Sequence, residues 1–548
     1  AYDPTINYEG VSLNKIHKAK SPNYLFLDLT ISRDADPGTF TIVFDTKGKK
    51  KLKYEYELKT RVKSAEEFQG FNSSDVIYLI TPDRFANALS ENDIVKGLKE
   101  SAIDRNSDYA RHGGDIQGIT DHLDYIADQG FIFTYAIAPS SLTSPSMVSL
   151  FTSVYPINNG VVHGFVKDKK IVNQEVFSDQ LVTLTEMLQS RGYTTFGVAS
   201  NLHLCEEFGF ARGFDYFKCL SFNSAPFVNK TLDSWEEKIK QSDKFFLWLH
   251  YFDPHHYFRP RVPWIAEYTS MELTQKLKLY RKPMNELWSL IPQFQEDPQT
   301  LSNLIALYDS EINFVDSHIE EVIKKYDFDK DVLLVITSDH GEAFLDHGMF
   351  DHGQCLYGET VNVPLSVKIP HQQKGKTVDQ PVSLLDVMPT ILTVLDIPHP
   401  EQIRGEPLLT QDGQVSVLSD RFLYSELEKG NRNMKAIFSK EWKYVHNCKG
   451  VIEKLYDWVK YVLKDEGRSK FSYAGHAEGL YNRKQDPQEQ VNLINEEGSL
   501  RSKLKEQLFK WMNAGKRYPP SQIEVTPTQE IQEKLKALGY ISEKDSLQ

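Results

Sequence analysis

One short apolar run limits the possible folds more than any other feature of this chain. Val332-Leu333-Leu334-Val335-Ile336 is continuous, rich in β-branched residues, and followed at once by Thr337-Ser338-Asp339-His340-Gly341-Glu342. A run with no polar position predicts a strand buried on both faces, as in a parallel sheet covered by helices. Ligands in open α/β sheets sit beyond the carboxyl ends of the strands. An Asp-His pair there, with His347 and His352 following, offers hard oxygen and borderline nitrogen donors for a divalent cation. Three histidines and several carboxylates so close to a buried strand point to a metal site rather than to solvated loop residues.

Other stretches support the same α/β architecture. Phe245-Phe246-Leu247-Trp248-Leu249-His250 predicts a second buried strand, and TTFGVASN a third that ends in a polar turn. LVTLTEMLQSRGY has helical periodicity. Residues 301–325 predict a long helix with Leu304, Tyr308, Ile312, Val315, Ile319 and Val322 on one stripe. Its carboxylates read as a solvated face. Residues 260–300 show no single period and suit either a lid or an insertion.

At the amino end, Phe40–Phe44 and the alternating Lys53–Lys59 predict an antiparallel hairpin with Tyr54, Tyr56 and Leu58 on its half-buried face. The expected organisation is a β-sandwich over 1–74, an α/β catalytic domain over 75–430, and an α+β subdomain with a polar tail over 431–548. Length allows two to four domains. A formal charge of −13 excludes a general nucleic-acid binder, which needs a basic face. No run of about 18 apolar residues predicts a spanning helix. Cys205, Cys219, Cys355 and Cys448 show no spacing from which a disulfide framework can be read. The sequence starts at Ala1, so the expectation is a periplasmic or extracellular protein if an export signal was removed before it.

SDHGEAFLDHGMFDHGQCLYGETVNVPL resembles the second metal-binding signature of the sulfatase-like branch of the alkaline phosphatase superfamily. The resemblance runs from about residue 131 to 515 and includes GLYNRKQDPQEQVNLI near its end. It implies an alkaline-phosphatase-like fold and a divalent metal (Zn, Mn or Ca) held by Asp339 and His340, with His352 as a further ligand. In Thr143-Ser144-Pro145-Ser146-Met147 the branch's Cys/Ser-x-Pro-x-Arg pattern carries threonine first and methionine last. Threonine is not a substrate for oxidation to formylglycine, but it can act as a metal-activated nucleophile. Asp253-Pro254-His255 resembles the branch's Asp-Pro-His step, which implies that His255 contacts substrate. The first strand of the branch ends in an acidic ligand; Val76–Asp83 has that form, so Asp83 is the candidate.

The first 130 residues resemble neopullulanase-like members of the α-amylase superfamily, through DVIYLITPDRFAN and DYARHGGDIQGITDHLDYIADQGF. No later segment matches that family's catalytic acids, so no starch cleavage is expected. The resulting expectation is an ester hydrolase or transferase acting on a small-molecule or glycan phosphate or sulfate ester. The alternative is a catalytically silent fusion with a glucan-binding amino-terminal module.

Overall fold

The computed structural model describes residues 2–18, 25–32, 35–46, 52–58, 76–82, 129–163, 165–168, 171–328, 330–372, 374–416, 418, 420–429, 432–448 and 478–525. Asp83 and the amylase-like stretch that follows it lie outside the described residues. The chain forms two compact units, Ala1–Gly70 and Phe71–Gln548.

The first unit contains two small antiparallel sheets. Gly38–Thr46 pairs with Leu52–Leu58 and with Tyr2–Ile6, while Val11–Lys18 pairs with Leu25–Ile31. The register sets Ile42 opposite Tyr54 and Phe40 opposite Tyr56. Phe40 and Ile42 are buried, yet Tyr54 is 59% and Tyr56 37% exposed. The face expected to be half-buried is therefore covered at its middle strand and open at its edge.

The second unit is organised on an eight-stranded sheet. Its order is Tyr216–Cys219, Thr194–Ala199, Phe245–Tyr251, Val76–Pro82, Val332–Thr337, Leu365–Lys368, Phe131–Phe133 and Lys376–Val378. The first five strands run parallel; Leu365–Lys368 is antiparallel to both of its neighbours. The apolar runs alternate between two cores. Phe246, Trp248, Leu333 and Val335 pack on one side with Met147, Leu150, Met388 and Ile391 from the helices Thr143–Thr152 and Val387–Val394. Leu247, Leu249, Leu334 and Ile336 pack on the other with Val228, Leu232, Val315 and Ile319. Full burial of each such side chain contributes about 1.5–3 kcal/mol, which is why these strands tolerate no polar position on either face.

The helix Pro298–Tyr326 covers the second face, with Asp297 capping its start and proline at its first turn. All six stripe residues are buried. Its carboxylates depart from expectation, because Asp309, Glu311 and Asp316 are buried as well. Glu311 pairs with Arg261, a partner no helical period could reveal. Residues 260–300 form a folded insertion whose Ile265, Leu287, Ile291 and Phe294 pack with Leu304, Leu307 and Phe350.

An antiparallel sheet follows, in the order Leu423–Lys429, Arg432–Phe438, Trp442–Asn447, Glu478–Asn482. The helix Gly498–Asn513 packs on it through Leu504 and Leu508. Ser521–Val525 then pairs antiparallel with Ile171–Val176, so this part of the expected surface tail is a strand.

Candidate active site

Three of the parallel strands deliver polar groups to one edge of the sheet. Val332–Thr337 leads into Ser338, Asp339 and His340; Phe245–Tyr251 carries His250 and leads to Asp253 and His255; Thr194–Ala199 leads to Asn201 and His203. Val76–Pro82 runs parallel between the first two and pairs Pro82 with Tyr251. The loop 138–142 and the helix Thr143–Thr152 close the site from the side. Ser141 Oγ donates to the Cys355 carbonyl at 2.9 Å, which ties this loop to the segment after the Asp-His pair. Gly341 is required by close approach: a Cβ there would lie 2.1 Å from the Glu359 carbonyl oxygen.

Thr143, Asp339 and His340 come together in a buried corner. Thr143 Oγ1 lies 3.2 Å from His340 Nε2, and Asp339 Oδ2 lies 3.5 Å from the same nitrogen. His340 Nδ1 sits 3.0 Å from the Gly341 carbonyl, which can only accept, so Nδ1 carries the proton. The Nε2 lone pair therefore faces the Thr143 hydroxyl and the Asp339 carboxylate. One imidazole nitrogen, one carboxylate oxygen and one hydroxyl converging in this way fit a divalent cation. Thr143 opens its helix without capping it; Leu142 holds the cap position and makes no side-chain cap bond.

His352 stacks on His340, with ring centroids 4.5 Å apart, and meets His255 edge-on at 5.0 Å. Its Nδ1 is turned from the Asp339–His340 pair towards Asp351 at 3.0 Å and Glu342 at 3.4 Å. Burial opposes a charge on this ring, but Asp351 and Glu342 outweigh it and push His352 up to about 9. Glu342, Asp351 and His352 also form a set whose ligand atoms lie within 4.8 Å of one another. His255 Nδ1 is 3.1 Å from the His256 carbonyl. His347, the other histidine of the signature, lies apart from these groups. It stacks on Tyr357 and bonds Glu359 at 2.8 Å.

The His255 loop is held by charge. Arg261 bridges Asp253 at 2.6 Å and Glu311 on the long helix, and both acids are buried. Burial nevertheless pushes Glu311 up to about 8, against the pull of Arg261.

Sequence reasoning passed over three groups. His203 places Nδ1 3.5 Å from Ser144 Oγ, and burial together with repulsion from His352 and Lys429 holds it neutral, down to about 3. His250, in the quoted strand but without an assigned role, is held neutral by burial, at about 4. Lys429 reaches in from the carboxy-terminal sheet: a Cβ on Gly353 would lie 3.0 Å from its Nζ. A position four residues past the end of Thr194–Ala199 could have flagged His203; no comparable signal marked Lys429. Cys205 and Cys219 form a disulfide that closes the loop after His203.

A mixed sheet with a hydroxyl, an Asp-His pair and several histidines at its carboxyl edge defines an alkaline-phosphatase-like α/β ester hydrolase. The sulfatase family profile matches residues 100–397, more than half of the chain, which therefore belongs to the sulfatase family. The profile for the carboxy-terminal region of N-sulphoglucosamine sulphohydrolase matches 345–514, and that for the cyclomaltodextrinase amino-terminal domain matches 1–62. Among relatives, the uncharacterized sulfatase YidJ of Escherichia coli is 25% identical over 444 residues, covering 72% of this chain and 82% of its own. An ulvan-active sulfatase of Formosa agariphila is 24% identical over 380 residues, covering 64% and 67%. Among solved structures, a 2-O GAG sulfatase superposes with TM-score 0.57 at 18% identity, covering 82% of this chain and 98% of its own. A phosphonate monoester hydrolase of Agrobacterium radiobacter superposes with TM-score 0.53 at 16% identity, covering 80% and 95%.

Proposed function

We propose that the chain is a metal-dependent hydrolase of phosphate and sulfate esters in which Thr143 is the nucleophile, with phosphate mono- or diesters as the favoured class. The observation that carries this reading is the Thr143 hydroxyl 3.2 Å from His340 Nε2, beside the Asp339 carboxylate. Asp83 is the fourth proposed ligand. The strand Val76–Pro82 that precedes it runs parallel to the strand leading to Asp339, which supports a common edge. A divalent cation held by Asp339, His340, Asp83 and Thr143 would supply Lewis-acid charge that lowers the alcohol's pKa.

The protein groups then have separate tasks. Thr143 Oγ1 attacks phosphorus or sulfur, the ester alcohol leaves, and water resolves the Thr143 ester. His352 presents a positive charge to the non-bridging oxygens, aided by the start of the helix Thr143–Thr152. His255, in the loop after Phe245–Tyr251 and edge-on to His352, is the group proposed to serve the leaving oxygen. Threonine also decides between the two ester classes. An aldehyde hydrate expels sulfate through its second hydroxyl, which a threonine lacks, whereas a threonine phosphoester is open to direct attack by water. Met147 stands where the arginine of the formylglycine pattern would be.

The relatives' names support a glycan ester as substrate, and the Cys205–Cys219 disulfide supports an oxidising compartment, periplasmic or extracellular. The test is turnover of aryl phosphate mono- and diesters and aryl sulfate with added Zn, Mn or Ca, by wild type and Thr143→Val. Loss of the hydroxyl should remove several kcal/mol of barrier lowering, at least about a thousandfold in rate. Full activity in Thr143→Val, or sulfate turnover above both phosphate activities, would overturn the assignment.

A further inference from the structure

The turn between Tyr216–Cys219 and the helix Ala225–Asp233 holds a phenylalanine in a conformation that its side chain disfavours. Phe222 has φ +69° and Ser221 before it φ +48°. A positive φ is an outlier for a bulky residue, and it persists only where the surroundings over-determine it. The surroundings of this turn do so. The Leu220 N–H donates to the Ala199 carbonyl at 2.7 Å and the Phe222 N–H to the Ser200 carbonyl at 3.2 Å, while Ser200 Oγ donates to the Asn223 carbonyl. Cys219 is tied by its disulfide to Cys205. On the far side, Ser224 Oγ and the Ala225 N–H both donate to the carboxylate of Asp253, the acid that Arg261 uses to anchor the His255 loop. One buried acid thus fixes the Phe222 turn and the His255 loop relative to each other.

The strained turn delivers a ring beside the site. Phe222 packs on Phe252 with centroids 4.7 Å apart, and Phe252 stacks on His255 at 4.4 Å with ring planes 17° apart. His255 in turn meets His352, so a line of rings runs outward from the Thr143 corner to Phe222. Phe252 is buried and Phe222 half-buried. Among the described residues, neither ring is part of the two cores that flank the sheet, so core packing does not account for the strain. In a displacement the attacking and leaving oxygens lie roughly in line. With Thr143 attacking and His255 serving the leaving oxygen, the alcohol portion departs on the side of Phe252 and Phe222.

We infer that Phe222, backed by Phe252, is the stacking platform for the alcohol portion of the substrate, so that the chain selects esters of cyclic sugars over esters of open-chain alcohols. The inference rests on the site assignment above and deepens it: Phe222 determines specificity and takes no part in the bond-making step. The face of an aromatic ring carries the negative part of its quadrupole. The C–H groups on one face of a pyranose are its apolar, weakly positive side, and they meet the Phe222 ring while the hydroxyls at the sugar's rim stay hydrogen-bonded. An open-chain polyol presents no such flat face.

The test is calorimetric titration of the full chain with divalent metal supplied and Thr143→Val in place, so that probes are bound and not consumed. Methyl glucoside 6-phosphate presents a pyranose ring, sorbitol 6-phosphate offers similar hydroxyls on an open chain, and ethyl phosphate has neither. With Phe222 intact, the ring ester should bind about tenfold more tightly than the open-chain ester. Glycine adopts a positive φ at no steric cost, so Phe222→Gly should keep Tm within about 2 °C and the ethyl phosphate Kd within about threefold, while the ring preference falls below about twofold. Phe222→Trp, which keeps an aromatic face, should keep the preference. A merely structural role for Phe222 would instead lower Tm and weaken all three probes alike. That result, a ring preference that survives Phe222→Gly or is lost in Phe222→Trp, or equal binding of the ring and open-chain esters with Phe222 intact would overturn the inference. A Thr143→Val chain that binds none of the probes would sink the site assignment and the inference with it. Turnover by that chain would sink the threonine mechanism and leave the platform standing.

Discussion

Replacing Arg261 with methionine should destabilise the Phe71–Gln548 unit in a pH-dependent way. Arg261 bridges Asp253 and Glu311, whose side chains are 0% and 1% exposed, and methionine would leave both acids in the interior without a counter-charge. Breaking a buried pair by removing one partner costs about 3–5 kcal/mol. For a unit of roughly 480 residues, at about 2.1 cal/mol/K per residue, 1 kcal/mol moves Tm by about 1 °C, so a fall of about 3–5 °C is expected. The pH dependence has a definite sign. Burial pushes Glu311 up to about 8, so the folded state keeps a proton that the unfolded chain releases in the ordinary carboxylate range, and stability declines as pH rises through that window. At pH 6 Glu311 is mostly neutral and loses little with Arg261; at pH 9 the full cost is felt. Differential scanning calorimetry of wild type and Arg261→Met at both pH values measures the gap. Adding Glu311→Met, which removes one stranded acid, should recover part of it. A gap under 1 °C, or one equal at pH 6 and pH 9, would refute the reasoning.

His352 should set an alkaline limit on activity. It is a cation below about 9, so kcat is expected to fall as pH rises through that value, and Asp351→Asn should move the limb to lower pH by at least one unit, as read from a pH–rate profile. Reduction of Cys205–Cys219, 14 residues apart, should cost about 3 kcal/mol by loop entropy and lower Tm by about 3 °C, as read by scanning with and without dithiothreitol.

What the sequence revealed and what it concealed follow from the range of the forces involved. Val332–Thr337 was legible because burial on both faces demands an unbroken apolar run, and such a run is local information. Thr143 was legible for a related reason, as the opening of a fixed local pattern just before a helix. Glu311 was misread because helical period reports which face a residue occupies, not whether an arginine fifty residues earlier folds back to meet it. His203 escaped because the turn after its strand breaks the apolar signal before the histidine arrives. Lys429 closes the strand LYSELEK, whose mixed pattern gives its charge no distinction from a solvated one. The pairing of Cys205 with Cys219 depends on how the chain returns from Thr194–Ala199 to Tyr216–Cys219, and no spacing rule specifies that path.

The position of Val76–Pro82 has a consequence for how the protein is made. This strand, the earliest of its sheet in the chain, lies between Phe245–Tyr251 and Val332–Thr337. Its second partner is synthesised roughly 250 residues later, which takes about 13–50 s at 5–20 residues per second. Until then a strand destined for the centre of the sheet waits with at least one edge unpaired, and the pairing that ends the wait is long-range and intrinsically slow. The described pairings of the Ala1–Gly70 unit all fall within residues 2–58, so they can be complete before the wait begins. The vulnerable species during translation is therefore a folded leader followed by an unpaired apolar segment, the kind of exposed strand that holdase chaperones protect.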